Sequence, residues 1–112
     1  MDTREAYERA ILTVLEEHIP RIPQAGLQVT LVKDRENGHY QIVHSGWQQG
    51  TYAYGSVLHS DLTPDHKAVV LHNGTEAMIG DDLHEAGIPK EDIILAFLPR
   101  YAQEASGFGV GK

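Results

Sequence analysis

Cysteine is absent from the 112 residues, which excludes a disulfide framework, a thiolate metal centre and a cysteine nucleophile. Long apolar runs are absent as well. The longest, Ile93–Leu98, is far short of the ~20 residues that a membrane-spanning helix needs. The start, MDTREAYERA, is charged and has no apolar leader, so the chain is expected in the cytoplasm with no membrane contact. Basic charge is scarce. Nine Lys and Arg against 16 Asp and Glu leave a formal charge of −7, and no stretch brings three basic residues together. A domain that grips duplex DNA unaided gathers such residues to displace counterions from phosphates. Autonomous DNA binding is therefore disfavoured, and a basic protein partner is easier to accommodate.

What remains is ordinary globular material: 41% hydrophobic and 22% charged residues, enough for one domain over 1–112 with one core. Tyr7, Ala10, Ile11, Val14, Leu15 and Ile19 recur at helical spacing, predicting an amphipathic helix over Thr3–Ile19. Asp2 and Glu5 stand at capping-box spacing. Pro20 ends the helix, and Pro23 and Gly26 make a turn. Leu27–Lys33 alternates like a strand. Asn37-Gly38 predicts a type I′ hairpin turn, with His39–Ser45 returning and a loop around Trp47 from Gly46 to Gly50. Tyr52–Leu62 is the longest strand pattern, and Gly55 inside it suggests a bulge or a close backbone approach. Thr63–His66 is a turn and Lys67–His72 a fourth strand. Asn73 and Glu76 have capping-box spacing, with Thr75 a competing N-cap, before a second helix whose apolar face is Ile79, Leu83 and Ala86, with Gly87 and Pro89 ending it. Ile93–Leu98 reads as a strand buried on both faces. The glycine-rich tail Arg100–Lys112 is expected to be partly mobile. The predicted class is α+β: an N-terminal helix, an antiparallel four-strand meander, a second helix and a final buried strand.

Four segments carry a resemblance: HYQIVHSGW (His39–Trp47), YGSVLHSDL (Tyr54–Leu62), NGTE (Asn73–Glu76) and, most specific, GIPKEDIILAF (Gly87–Phe97). In this order and spacing they resemble the XisI family, the fdxN-element excision controlling factors, from the first helix through Phe97. The resemblance implies an accessory factor for programmed excision of a DNA element in nitrogen-fixing photosynthetic bacteria. Such a factor would work beside a XisH-type, nuclease-like protein and a recombinase complex. It supplies no catalytic residues and no cofactor. Asn73 stands where the family leads one to expect Asp, and Leu98 where it leads one to expect a polar residue, often His.

The residues that tempt a chemical reading have plainer ones beside them. Adjacent helical residues diverge by about 100°, so Asp81 and Asp82 do not converge on one ion, and a solvated helix face explains them together with His84 and Glu85. Ser56, Ser60 and Thr75 lack the context of an activated nucleophile. Gly107–Gly111 lacks the strand before and the helix after that a phosphate loop requires. His59, Asp61 and His72 are the candidate metal ligands. A register set by the Thr63–His66 turn puts Val57 opposite His72 and leaves His59 diagonal to it, about 7–8 Å away. His44 lies too far along its strand to join. A neutral histidine bonded to a neighbour is the commoner state. Tyr40, Trp47, Tyr52, Tyr54 and Tyr101 lack the basic groove of a nucleic-acid stacking platform. Trp47, Tyr52 and Tyr54 are instead expected at a protein interface, with homo-oligomerisation. Three functions follow: a non-enzymatic accessory factor acting through protein contacts; a DNA-binding directionality factor using a patch from Arg21, Lys33, Arg35 and Lys67; and a small enzyme using the strand histidines.

Overall fold

The computed structural model describes residues 2–21 and 26–111, without the side chain of Arg21. The predicted turn at Pro23 lies outside the described residues. Helix α1 spans Thr3–His18, capped as expected by the Asp2 carboxylate, which accepts from the Glu5 amide at 2.8 Å. Strands β1 (Leu27–Asp34), β2 (His39–Gln48), β3 (Thr51–Leu62) and β4 (Ala68–Asn73) form the antiparallel meander. Helix α2 (Ile79–Glu85) then returns the chain to β5 (Ile93–Leu95), which pairs parallel to β4. The sheet runs β1-β2-β3-β4-β5, and helix α3 (Arg100–Ala105) follows it.

The two helices α1 and α2 build the core on one face of the sheet. Tyr7, Ile11, Val14 and Leu15 pack with Tyr40, Ile42, Leu58, Leu62 and Val70, and with Ile79, Leu83, Ile88 and Ile93. β5 is buried at Ile93 and Ile94, but the expected strand Ile93–Leu98 stops at Leu95, where the chain turns and leaves Phe97 exposed. No helix among the described residues is long and apolar enough to cross a membrane.

The connections depart from the sequence pattern in instructive ways. The two-residue turn with positive φ at both positions is Gln49-Gly50 (φ 50° and 81°), between partners Gln48 and Thr51. The predicted loop around Trp47 is therefore strand up to that turn. At Asn37-Gly38 only Gly38 has positive φ. The Asp34 side chain holds the Asn37 amide and side chain at 3.1 and 2.9 Å, and the loop is wider than a type I′ turn. Gly38 is fixed there because a Cβ would come within 2.1 Å of the Leu62 carbonyl oxygen. Gly55 makes no close approach. The bulge falls two residues later, with Val57 the extra residue between the Ile42–Leu58 and Val43–Ser56 partners.

The predicted capping box at Asn73 and Glu76 is not a cap. Asn73 still belongs to β4. Its side chain accepts from the Thr75 amide and hydroxyl and donates to the Ala77 carbonyl, forming a side-chain-built loop ahead of α2. The other end of α2 follows expectation. The Gly87 amide donates to the His84 carbonyl at 3.0 Å and the Ile88 amide to the Leu83 carbonyl at 3.2 Å. With Leu83 and Ile88 both buried, this is a Schellman ending. The tail expected to be mobile is docked. The Gln103 side chain donates to the Leu98 carbonyl and accepts from the Gly111 amide. The Gly109 amide donates to the Ile93 carbonyl at 2.8 Å, and the Phe108 ring lies over Gly80.

Candidate functional site

The face of the meander turned away from α1 and α2 displays two groups of residues, and a third lies at the junction of the two helices.

The first is polar. His39 on β2 is the cross-strand partner of Asp61 on β3, and His59 precedes Asp61 by two positions, hence on the same face. His39 Nδ1 and His59 Nε2 each lie 2.8 Å from the same Asp61 oxygen, Oδ1. The two rings meet edge to face at 6.2 Å. The bond from Asp61, and then its charge, raise the His39 pKa, with Asp34 adding to the effect. Of the sequence candidates, His59 and Asp61 are therefore brought together, but His72 is not their third member. Leu71 is an extra residue on β4, so that His72 slips to stand opposite His59 while Ser60 pairs with Val70. The His72 ring turns towards the loop, its Nε2 3.1 Å from where a Gly74 Cβ would be. It lines an open groove of about 960 Å³ with His18, His44, Ser56, Thr75 and Glu76. His44 stays apart from the His59–Asp61 pair, as expected, yet shares this groove with His72. His39 escaped the sequence reading because cross-strand register is invisible in a pattern of spacing. The signal that could have found it is its distance from the hairpin turn, set against Asp61 across β2 and β3.

The second group is aromatic. Trp47 and Tyr52 are cross-strand partners at the tip of the β2–β3 hairpin, their rings edge to face at 5.3 Å. With Tyr54 on the same side of β3 they are 67%, 54% and 74% exposed. Beyond Val57, whose carbonyl accepts from the Gly74 amide, this half of β3 has no β4 partner among the described residues. A bare strand edge thus runs beside the aromatics.

The third is charge. His18, at the end of α1 and only 4% exposed, bonds Asp82 on α2 at 3.2 Å. Exposed Glu17, Asp81 and Glu85 stand next to that pair along α1 and α2. Three of the basic residues are held in ion pairs. Arg35 pairs with Glu8, Lys67 with Asp92 and Arg100 with Glu104. Of the basic patch considered from sequence, Lys33 and Arg35 share a depression with Arg9, but also with Glu5, Glu8 and Glu16. Lys67 is held elsewhere by Asp92, and the Arg21 side chain lies outside the described residues.

One further polar centre was missed in the sequence. Asp92, which reads as part of a polar turn, accepts from the Tyr7 hydroxyl of α1 and, at 2.6 Å, from the Lys67 ammonium. It joins the first helix, the start of β4 and the turn before β5.

Comparison with known proteins agrees with this architecture. A crystal structure of a XisI-like protein from Anabaena variabilis ATCC 29413 superposes with a TM-score of 0.83 at 25% identity, covering 98% of this chain and 100% of that one. The crystal structure of the fdxN element excision controlling factor XisI from the same organism superposes at 0.82 with 21% identity and the same coverage. No curated protein sequence matches the chain. The family described as "XisI protein" matches residues 1–110, and the chain belongs to the XisI family.

Proposed function

We propose that this chain is a non-enzymatic accessory factor for excision of a DNA element, acting by contact with a DNA-processing partner of the XisH type. One observation carries the reading beyond family membership. Carboxylates gather at the α1–α2 junction, while Arg35, Lys67 and Arg100 are held in ion pairs elsewhere. A surface of this kind is complementary to the basic groove of a nuclease-like protein and repels DNA phosphates. Mixing the purified chain with a cognate XisH-type protein gives a complex that weakens as salt rises, and Glu17→Lys with Asp81→Lys weakens it further. Absence of a complex defeats the proposal, as does retention of the isolated chain on duplex DNA with steep salt dependence.

The same reading includes self-association. The occupant proposed for the hairpin tip is a second copy of the chain. An unpaired strand edge is self-complementary across a two-fold axis, and the exposed aromatics beside it supply apolar contact at low rotamer entropy. Light scattering after gel filtration reads a dimer, and Trp47→Ala with Tyr54→Ala reads a monomer. A monomeric parent chain at the same concentration sinks this part alone.

A further inference from the structure

We propose that His39, His59 and Asp61 form a binding site for a first-row transition-metal dication, with zinc its leading occupant. Three ligand atoms converge: both ring nitrogens sit 2.8 Å from one carboxylate oxygen, and all three atoms lie within 4.8 Å of one another. Zinc holds imidazole nitrogen and carboxylate oxygen at about 2.0–2.2 Å. Tetrahedral ligands at that radius stand about 3.4 Å apart. For an ion to sit among them, the two 2.8 Å spacings lengthen by side-chain rotation. A dication entering the site takes the place of the protons through which the rings bond the carboxylate, and those protons leave to solvent.

The surroundings favour the ion. The three residues stand on the paired interior strands β2 and β3, next to a turn where the Leu62 amide donates to the Gly38 carbonyl at 2.7 Å. Such a site is held by strands, not by a mobile loop. Asp34 is the β1 partner of His39 and adds a negative charge beside the site, within a chain of formal charge −7. Two nitrogen donors and one oxygen select a borderline metal over magnesium or calcium, which take oxygen ligands. His39 is half exposed, with its side chain at 53%, so the remaining coordination positions face solvent and are open to water or to a donor from a bound partner.

The untagged full chain, stripped with a chelator and dialysed, is titrated calorimetrically with zinc chloride and separately with magnesium chloride. One zinc per chain binds and magnesium does not. His39→Ala and Asp61→Asn each lower zinc affinity by about tenfold or more. His72→Ala, which removes the histidine across from His59, leaves it unchanged. Circular dichroism confirms that the variants stay folded, since all three positions are on the open face. The proposal is overturned by absence of zinc binding, by binding that survives both His39→Ala and Asp61→Asn, or by loss of binding in His72→Ala.

Discussion

Replacing Asp92 by Asn tests how the chain is held together. The carboxylate accepts from Tyr7 with one oxygen and from Lys67 with the other. Asn keeps the shape but offers one acceptor, and its amide group faces a donor. Hydrogen bonds to a charged group contribute about 1.5–3 kcal/mol each. Lys67 is one-third exposed, so its share is screened by solvent. The Tyr7 hydroxyl can turn to accept from the amide. The expected loss is therefore at the lower end, about 1.5 kcal/mol. With an unfolding entropy near 2.1 cal/mol/K per residue over 112 residues, the melting temperature falls by about 6 °C.

The pH dependence sharpens this test. Burial raises the Asp92 carboxyl, but the bonds from Lys67 and Tyr7 outweigh it and hold the group below the usual carboxylate range. A carboxylate depressed in the folded state stabilises fully above its unfolded value, about 3.9, and this stabilisation is lost as pH falls through the folded value. The gap between parent and Asn variant is then complete at about pH 7, intact near pH 5 and narrowing towards pH 3. Thermal unfolding followed by circular dichroism reads all three. A gap that stays constant down to pH 3 refutes the role of charge. A shift under about 2 °C at neutral pH refutes the magnitude.

Three further outcomes are expected. Gly87→Ala forces a Cβ into φ +119° with open space around it, so the loss is conformational and about 1 kcal/mol by chemical denaturation; no change would mean the Schellman ending does not hold. In Gly80→Ala the new Cβ meets the Phe108 ring at 2.8 Å. Gain in helix propensity and overpacking, each of order 1 kcal/mol, oppose one another. Global stability therefore moves little, while hydrogen exchange of the Gly109 and Gly111 amides accelerates; unchanged exchange there would count against the docked tail. In the metal-free chain, NMR titration places His39 above the ordinary histidine value of about 6.5, and Asp61→Asn brings it down. Any stability from this pair is full below that ordinary value and fades as pH rises through the raised one.

Much of the architecture could be read from residue spacing, because the helical stripe of α1 and the alternation in β1 report burial directly. The turns were harder. Asn37-Gly38 has the stronger hairpin composition, yet the Asp34 side chain organises a wider loop there, and the tight turn falls at Gln49-Gly50. The bulge at Leu71 explains the misplaced His72, since one extra residue shifts every partner beyond it. The tail looked loose because glycine buries no side chain. Here its backbone makes the contact: a Cβ on Gly109 would lie 2.4 Å from the Glu91 carbonyl oxygen.

The bond between Tyr7 and Asp92 spans 85 positions and that between His18 and Asp82 spans 64. During synthesis the first helix leaves the ribosome long before the groups that anchor it exist. Its apolar stripe meets β2 and β3 first, and its polar anchors on α2 and before β5 come last. Closure of the fold is consequently a late, long-range event, and the chain is expected to fold in milliseconds or slower, unlike a helical bundle of equal length.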